Sequence, residues 1–139
     1  MKVRTVVKAF MVALLLCATA VAKVKDKPNA LLAPLPEALK SAKTVVLKGD
    51  QQAIDSAFDE LARWGRFQVV TDKTKADLVF EFVYTKEPVA DNRKFVTKET
   101  LEIHDAKSGE SIYHDWIMDV SGSMARGLVK NLRKRLEQH

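Results

Sequence analysis

The hydrophobic residues of this chain follow two different periods, and the changes between them predict strands and helices. Apolar residues are continuous in "TVVL" (44–47) and fill both faces of "LVFEFVYT" (78–85), as in buried strands. Between them, "QQAIDSAFDELARW" (51–64) has the 3.6-residue period of an amphipathic helix. A long hairpin, "FVTKETLEIHDAKSGESIYHDWIMDV", and a second helical segment, "SGSMARGLVKNLRKRLEQH", complete the pattern.

Turn residues set the limits of these elements. Asp50 stands where a carboxylate can cap the first helix, and Gly65 suits a left-handed residue at its end. The chain then reverses into a strand, "FQVV". Asp105 and Gly109 provide the turn of the hairpin, with Gly109 as its left-handed residue.

The same periods predict which side chains form the core. On the first helix they select Ala53, Ile54, Ala57, Phe58, Leu61, Ala62 and Trp64, with Asp55, Asp59 and Glu60 on the solvent side. On the last helix they select Met124, Leu128, Val129, Leu132 and Leu136. If Asp105 pairs with Glu110, the core face of the hairpin holds Phe95, Leu101, Ile103, Ile112, Trp116 and Met118.

The element order is strand, helix, strand, strand, hairpin, helix, and each helix has one apolar face to bury. This order predicts an α/β (α+β) fold, a two-layer sandwich in which two main helices pack on a mixed sheet of about five strands. The strand at 78–85 is expected at the centre of the sheet, because it is apolar on both faces.

The N-terminal residues have the pattern of a secretory signal peptide. Lys2, Arg4 and Lys8 precede an apolar run that ends in small residues, and Ala20 and Ala22 suit a cut before Lys23. We therefore predict a signal peptide at 1–22, a tether with a short helical turn at 23–42, and one α/β domain at 43–139. The apolar run is short for a membrane anchor. Cys17 leaves lipidation as a less favoured alternative, because Leu16 precedes it.

Removal of this segment changes the charge of the protein. The segment contains three of the 23 basic residues and none of the 18 acidic ones, so the net charge falls from +5 to +2. Binding to nucleic acid or to a membrane surface is therefore not predicted from overall charge. The single cysteine is also lost, so neither a disulfide framework nor thiol chemistry is expected.

Candidate chemical groups are few. His104 and His114 fall on opposite faces in the register above and cannot share a metal ion, unless the register slips by one residue. We expect no catalytic residues, no metal and no cofactor. Glu81 interrupts an apolar strand and is either an exposed or ion-paired strand residue or a contact to a small ligand. Helix capping by Ser121 or Ser123 explains "VSGSM".

The last helix has a basic face. We define the basic surface as Arg126, Lys130, Arg133 and Lys134, which oppose the apolar face of that helix. It is either a solvated face or a contact for an acidic partner. Anionic lipid is a weaker alternative, because the apolar face of this helix is needed for the core.

A resemblance follows from the order of these motifs. The helix ending in "WGRFQVV", the strand "ADLVF" and the hairpin turn "HDAKSGE" resemble small α/β modules of bacterial envelope proteins. Examples are the N-terminal domain of the Tol-system β-propeller protein and the domains of curli-secretion and penicillin-binding-protein-activating lipoproteins. The resemblance spans residues 43–136 and implies a periplasmic or cell-surface module that binds other proteins.

These observations favour a non-enzymatic exported domain, periplasmic or extracellular, that mediates protein–protein interaction in the bacterial envelope. Its partner would be an envelope protein or a second copy of the chain, contacted through a sheet edge or the basic surface. The alternative is a periplasmic domain that binds a small ligand near Glu81 and the "KEPVADNRK" loop.

Overall fold

The computed structural model describes residues 34–88, 95–119 and 124–138. Their helices and strands are α1 (Glu37–Ser41), β1 (Thr44–Lys48), α2 (Gln51–Trp64), β2 (Gln68–Val69), β3 (Leu78–Pro88), β4 (Phe95–Asp105), β5 (Ser111–Asp119) and α3 (Met124–Glu137), with a 3₁₀ turn at Lys73–Lys75. The predicted signal peptide, Cys17, the tether up to residue 33, the loop residues 89–94 and the caps Ser121 and Ser123 lie outside the described residues.

The five strands form one mixed sheet in the order β2-β1-β3-β4-β5. β1 runs parallel to both of its neighbours, whereas β4 is antiparallel to its neighbours β3 and β5. β3 is the central strand, as its two apolar faces predicted. Side chains of α2 and α3 pack on one face of this sheet in a single core cluster. The predicted two-layer α/β fold is confirmed.

The core lies between the helices and the sheet. Its largest fully buried side chains include Phe80, Leu61, Leu101, Ile103, Leu128 and Leu132. Leu35 and Leu39, which flank the start of α1, belong to the same cluster, and the packed unit begins at Pro34. None of the described helices is both long and apolar enough to cross a membrane.

Asp50, Gly65 and Asp105 set the limits of α2 and of the hairpin turn, as predicted. Asp50 Oδ1 accepts a hydrogen bond of 2.8 Å from the Ala53 N–H. Gly65 ends α2 in the left-handed region at φ 70°, which a residue with a Cβ adopts at a cost. In the turn, the Asp105 N–H donates to the Glu110 carbonyl over 2.9 Å.

The predicted register of the hairpin is wrong beyond its turn. His104 pairs with Ser111, but Ile103 pairs with Tyr113, so Ile112 is an extra residue on β5 and the register is irregular there. One extra residue moves every later side chain of the strand to the other face. Trp116 and Met118, predicted in the core, are therefore exposed on the face that the helices do not cover. Phe95, also predicted in the core, is exposed.

The buried face of α2 is also rotated from the predicted one. Phe58 was predicted in the core, but half of its surface is exposed. Glu60 was predicted on the solvent side, but it is buried, with its Oε2 atom 3.8 Å from Arg63 Nη1. The rotation follows from the position of α2, which packs on both the sheet and α3.

Candidate functional site

The face of β3, β4 and β5 opposite α2 and α3, here called the open face, presents three rows of side chains. Because side chains alternate along a strand, register partners and every second residue share a face. The rows are Glu81, Glu102 and His114; Val83, Thr100 and Trp116; and Thr85, Lys98 and Met118. His104 follows Glu102 on the same face of β4.

Two histidines and two glutamates meet at one end of the open face, and we call them the His–Glu cluster. His104 Nε2 lies 3.4 Å from Glu81 Oε2 and 3.5 Å from Glu102 Oε2. His114 Nδ1 lies 3.4 Å from Glu102 Oε1. The prediction that the two histidines occupy opposite faces is therefore wrong, and the extra residue Ile112 is the cause.

The His–Glu cluster is held by weak contacts. Its N···O distances are longer than in a strong charge-assisted hydrogen bond, where they are about 2.7–2.9 Å. Glu81 and Glu102 are direct register partners, and like charges in that position repel each other. Within the parts of the chain that the structure describes, no set of three or more His, Cys, Asp or Glu side chains is arranged to hold a metal ion. The ligand role of Glu81 stays a prediction.

An exposed apolar patch lies beside this cluster and consists of Val83, Trp116 and Met118. Their exposed fractions are 42%, 49% and 44%. Lys98 Nζ lies 5.2 Å from the centroid of the Trp116 ring, a cation–π contact that holds the indole against the sheet. A large aromatic side chain presented on rigid strands is a typical anchor of a protein interface.

The basic surface on α3 is partly engaged within its own subunit. Arg126 Nη2 lies 3.9 Å from Asp59 Oδ2 on α2, and Arg133 Nε donates to Glu137 Oε1 over 2.8 Å. Lys130 and Lys134 are exposed and form no ion pair among the described residues. The role of this surface in partner binding stays a prediction, and these two lysines are its most available charges.

The helix-covered face of the sheet contains two buried titratable groups. Burial raises the pKa of the Glu99 carboxyl, the nearby Asp50 charge adds to the effect, and a hydrogen bond from the Ala125 N–H opposes it. Burial, followed by the Asp115 charge, raises the pKa of the Tyr113 hydroxyl. The Arg135 guanidinium lies 5.3 Å from the centroid of the Tyr113 ring. Both groups face the packed helices rather than an opening for a substrate.

A cleft of about 340 Å³ lies beside the turn between β4 and β5, at the end of the sheet where β1 and β3 begin. It is lined by Ala38, Ser41, Ala42, Lys43, Asp77, Asp105 and Lys107. Asp77 Oδ2 accepts hydrogen bonds of 2.9 and 3.0 Å from the N–H groups of Lys43 and Thr44. Asp105 Oδ1 likewise accepts the N–H groups of Lys107 and Ser108. Both carboxylates therefore serve the fold, and Glu81 does not line this cleft.

Neither a protein-family model nor a curated protein sequence matches the chain. Solved structures with a similar chain trace include a PelC dodecamer from Paraburkholderia phytofirmans, with 17% identity and a TM-score of 0.46, covering 75% of this chain and 93% of that one. The lipoprotein GNA1162 from Neisseria meningitidis has 8% identity and a TM-score of 0.36, covering 70% and 99%.

A putative neuraminyllactose-binding hemagglutinin homolog from Helicobacter pylori has 12% identity and a TM-score of 0.33, covering 78% of this chain and 89% of that one. These similarities are distant and assign no family, activity or assembly to this chain.

Proposed function

We propose that this chain is a non-enzymatic, exported domain of the bacterial envelope that binds another protein chain through the open face of its sheet. The observation that carries the proposal is the apolar patch, since Trp116 is 49% exposed on the face that α2 and α3 leave uncovered. Exposed apolar patches on soluble domains commonly mark interaction sites. The adjacent His–Glu cluster and Lys98 supply the polar rim that such sites have.

The export part of the proposal rests on the N-terminal sequence. The pattern of Lys2, Arg4, Lys8 and the following apolar run favours cleavage before Lys23. A lipoprotein and an assembled dodecamer among the similar structures agree with an envelope location and with assembly, but the proposal does not depend on them. The intact mass of the purified protein tests this part, and we expect loss of residues 1–22.

The basic surface on α3 is the second candidate contact, because Lys130 and Lys134 are exposed there. The open face is favoured for two reasons. Two of the four basic side chains already contact carboxylates of their own subunit, and long exposed lysines lose more side-chain entropy on binding than an indole held against a sheet.

Site-specific photo-crosslinking tests the proposal. The full chain is produced in the parent cell with a photoreactive amino acid at position 116, at position 130 or at position 73, a control in an exposed turn. We expect a covalent adduct with a protein chain from position 116 and none from position 73. Adducts from position 130 alone would show that the partner contacts α3 rather than the open face. No adduct from either 116 or 130 would contradict the proposed function.

The alternative function is the binding of a small ligand by Glu81. Its test is a thermal-shift screen of the purified protein against sugars, amino acids and short peptides, repeated with Glu81→Gln. A ligand that binds only the folded state raises the melting temperature. A stabilisation that disappears in Glu81→Gln would favour this alternative over protein binding.

A further inference from the structure

The charges that β4 presents on the open face are arranged so that they complement a second copy of the same strand. Along β4, Lys98, Thr100 and Glu102 point to the open face in the order positive, neutral, negative. Lys98 and Glu102 are four residues apart on one strand, which is about 13 Å at 3.3–3.4 Å per residue. That distance is too long for a direct ion pair between them within one subunit, so the two opposite charges do not neutralise each other there.

We propose that the open face binds the open face of a second copy of this chain, about a two-fold axis that runs perpendicular to the strands and passes over Thr100. The inference rests on the proposed function in that it uses the same face, and it names the partner. The axis places Lys98 opposite Glu102 of the partner subunit, and the two-fold symmetry repeats this contact.

The same axis places the middle row of the open face against the same row of the partner subunit. Val83, Thr100 and Trp116 form one row across the sheet, so a two-fold axis over that row sets each opposite its own copy. Trp116, on the edge strand β5, meets Trp116 of the partner subunit at one side of the contact. Aromatic pairs in offset or edge-to-face geometry contribute about 0.5–1.5 kcal/mol beyond the area that they bury.

Charge also decides between the two possible face-to-face orientations. An axis parallel to the strands over β4 would set Lys98 against Lys98 of the partner subunit and Glu102 against the partner's Glu102. Like charges facing each other across an interface are strongly unfavourable. The perpendicular axis replaces both repulsions with attractions. Packed sheets lie about 10 Å apart with strands within about 30° of one another, and both orientations satisfy this distance.

The size of the face indicates how tightly the copies bind. Strands β3 and β4 have 11 residues each. At about 3.3 Å per residue and about 4.8 Å between strands, the three-strand face measures roughly 36 by 14 Å, or about 500 Å² per subunit. The total of about 1,000 Å² is at the small end for specific interfaces, where association is weak and concentration-dependent.

Complementation between two charge variants tests the proposal. In Lys98→Glu, both inter-subunit contacts become negative against negative, and in Glu102→Lys both become positive against positive. When the two variants are mixed, both contacts again join opposite charges. We expect the unaltered protein to form dimers, each variant alone to stay monomeric, and the equimolar mixture to form dimers.

The measurement is molar mass by light scattering and sedimentation equilibrium, from about 1 to 200 μM, which spans the affinities of interfaces of this size. Lys73→Glu, an equal charge change in an exposed turn, is expected to dimerise normally. Circular dichroism and the melting temperature establish that each variant is folded. A monomeric unaltered protein, a dimeric Lys98→Glu variant or a mixture that stays monomeric would each overturn the proposal.

A second measurement does not depend on the charge variants. A spin label attached through Thr100→Cys, in a Cys17→Ser background, is expected to report an inter-subunit distance below about 20 Å, because packed sheets are about 10 Å apart. A longer distance would overturn face-to-face packing. A monomeric protein that still crosslinks to another protein from position 116 would refute the self-association alone and leave the proposed function standing.

Discussion

The Glu99 carboxylate accepts a hydrogen bond from the backbone N–H of Ala125, in the first turn of α3. The contact joins the centre of the sheet to the helix that covers it. A carboxylate near a helix N-terminus is normally favourable. Here the side chain is also buried and lies near the charge of Asp50, so burial and repulsion outweigh the hydrogen bond and the pKa of Glu99 is raised.

This balance predicts that Glu99→Gln stabilises the domain at neutral pH. The folded-state pKa of Glu99 is above its unfolded value, so the folded state binds more protons, and stability decreases as pH rises through the folded pKa. Glutamine keeps an acceptor for Ala125 without the charge. We expect the free energy of unfolding at pH 7 to rise by something on the order of 1 kcal/mol. Urea unfolding measures it.

The pH dependence separates charge from packing in this experiment. The gain from Glu99→Gln is expected to shrink as pH falls towards the unfolded pKa, where the native carboxyl is neutral too. Glu110→Gln, on the exposed side of the hairpin turn, is the control and is expected to change stability little. Loss of stability in Glu99→Gln at pH 7 would show that the ionised carboxylate is favourable at this position.

Asp77 provides a second prediction, with the opposite sign of pH dependence. Its carboxylate accepts the N–H groups of Lys43 and Thr44 at the start of β1, and these bonds lower the pKa of Asp77. Its contribution to stability is present above the unfolded pKa and is lost as pH falls through the folded pKa. Asp77→Asn is expected to lower the free energy of unfolding by about 1 kcal/mol at pH 7: hydrogen bonds to a charged group contribute about 1.5–3 kcal/mol, but solvent screens this exposed site and asparagine keeps an acceptor oxygen.

Asp72 is the matched control for Asp77. The pKa of Asp72 is also lowered, but by bonds to Thr74 alone, within one short turn. Asp72→Asn therefore disturbs local structure, whereas Asp77→Asn loosens the attachment of β1 to the start of β3. Equal costs for the two variants, measured by thermal unfolding at pH 7, would contradict the role assigned to Asp77.

The helix limits and the fold class could be predicted because their signals are local. Asp50 and Gly65 act on residues within four positions, so the bond to Ala53 and the left-handed turn follow from neighbouring residues. The open face could not be predicted, because the extra residue Ile112 is neither glycine nor proline and its position depends on pairing with β4. Without that extra residue, Trp116 falls in the core.

The lysines of the basic surface allow a separate prediction about α3. Lys130→Glu combined with Lys134→Glu is expected to leave the free energy of unfolding within about 0.5 kcal/mol, as exposed substitutions usually do. Arg126 and Arg133 are kept, because each contacts a carboxylate. If α3 binds an acidic partner, Lys134→Glu in the chain that carries the photoreactive amino acid at position 130 weakens that crosslink, and Lys130→Glu with Lys134→Glu leaves the crosslink from position 116 unchanged.

The register of β5 yields the sharpest stability prediction, because Trp116 and Ile117 are adjacent residues on opposite faces. Ile117 packs against the core, where its Cδ1 atom would lie 2.9 Å from a Cβ at Gly127 of α3. Ile117→Ala is expected to cost about 1–3 kcal/mol, less than the largest Ile→Ala losses because Ile117 is only partly buried. Trp116→Ser is expected to cost less than about 1 kcal/mol, chiefly the cation–π contact with Lys98.

The free energies of unfolding of both variants are measured by urea unfolding at about 1 μM, where association contributes little. The register predicted from sequence, with Trp116 in the core and Ile117 outside, requires the reverse order, so the ranking of these two variants decides which face of β5 meets the helices.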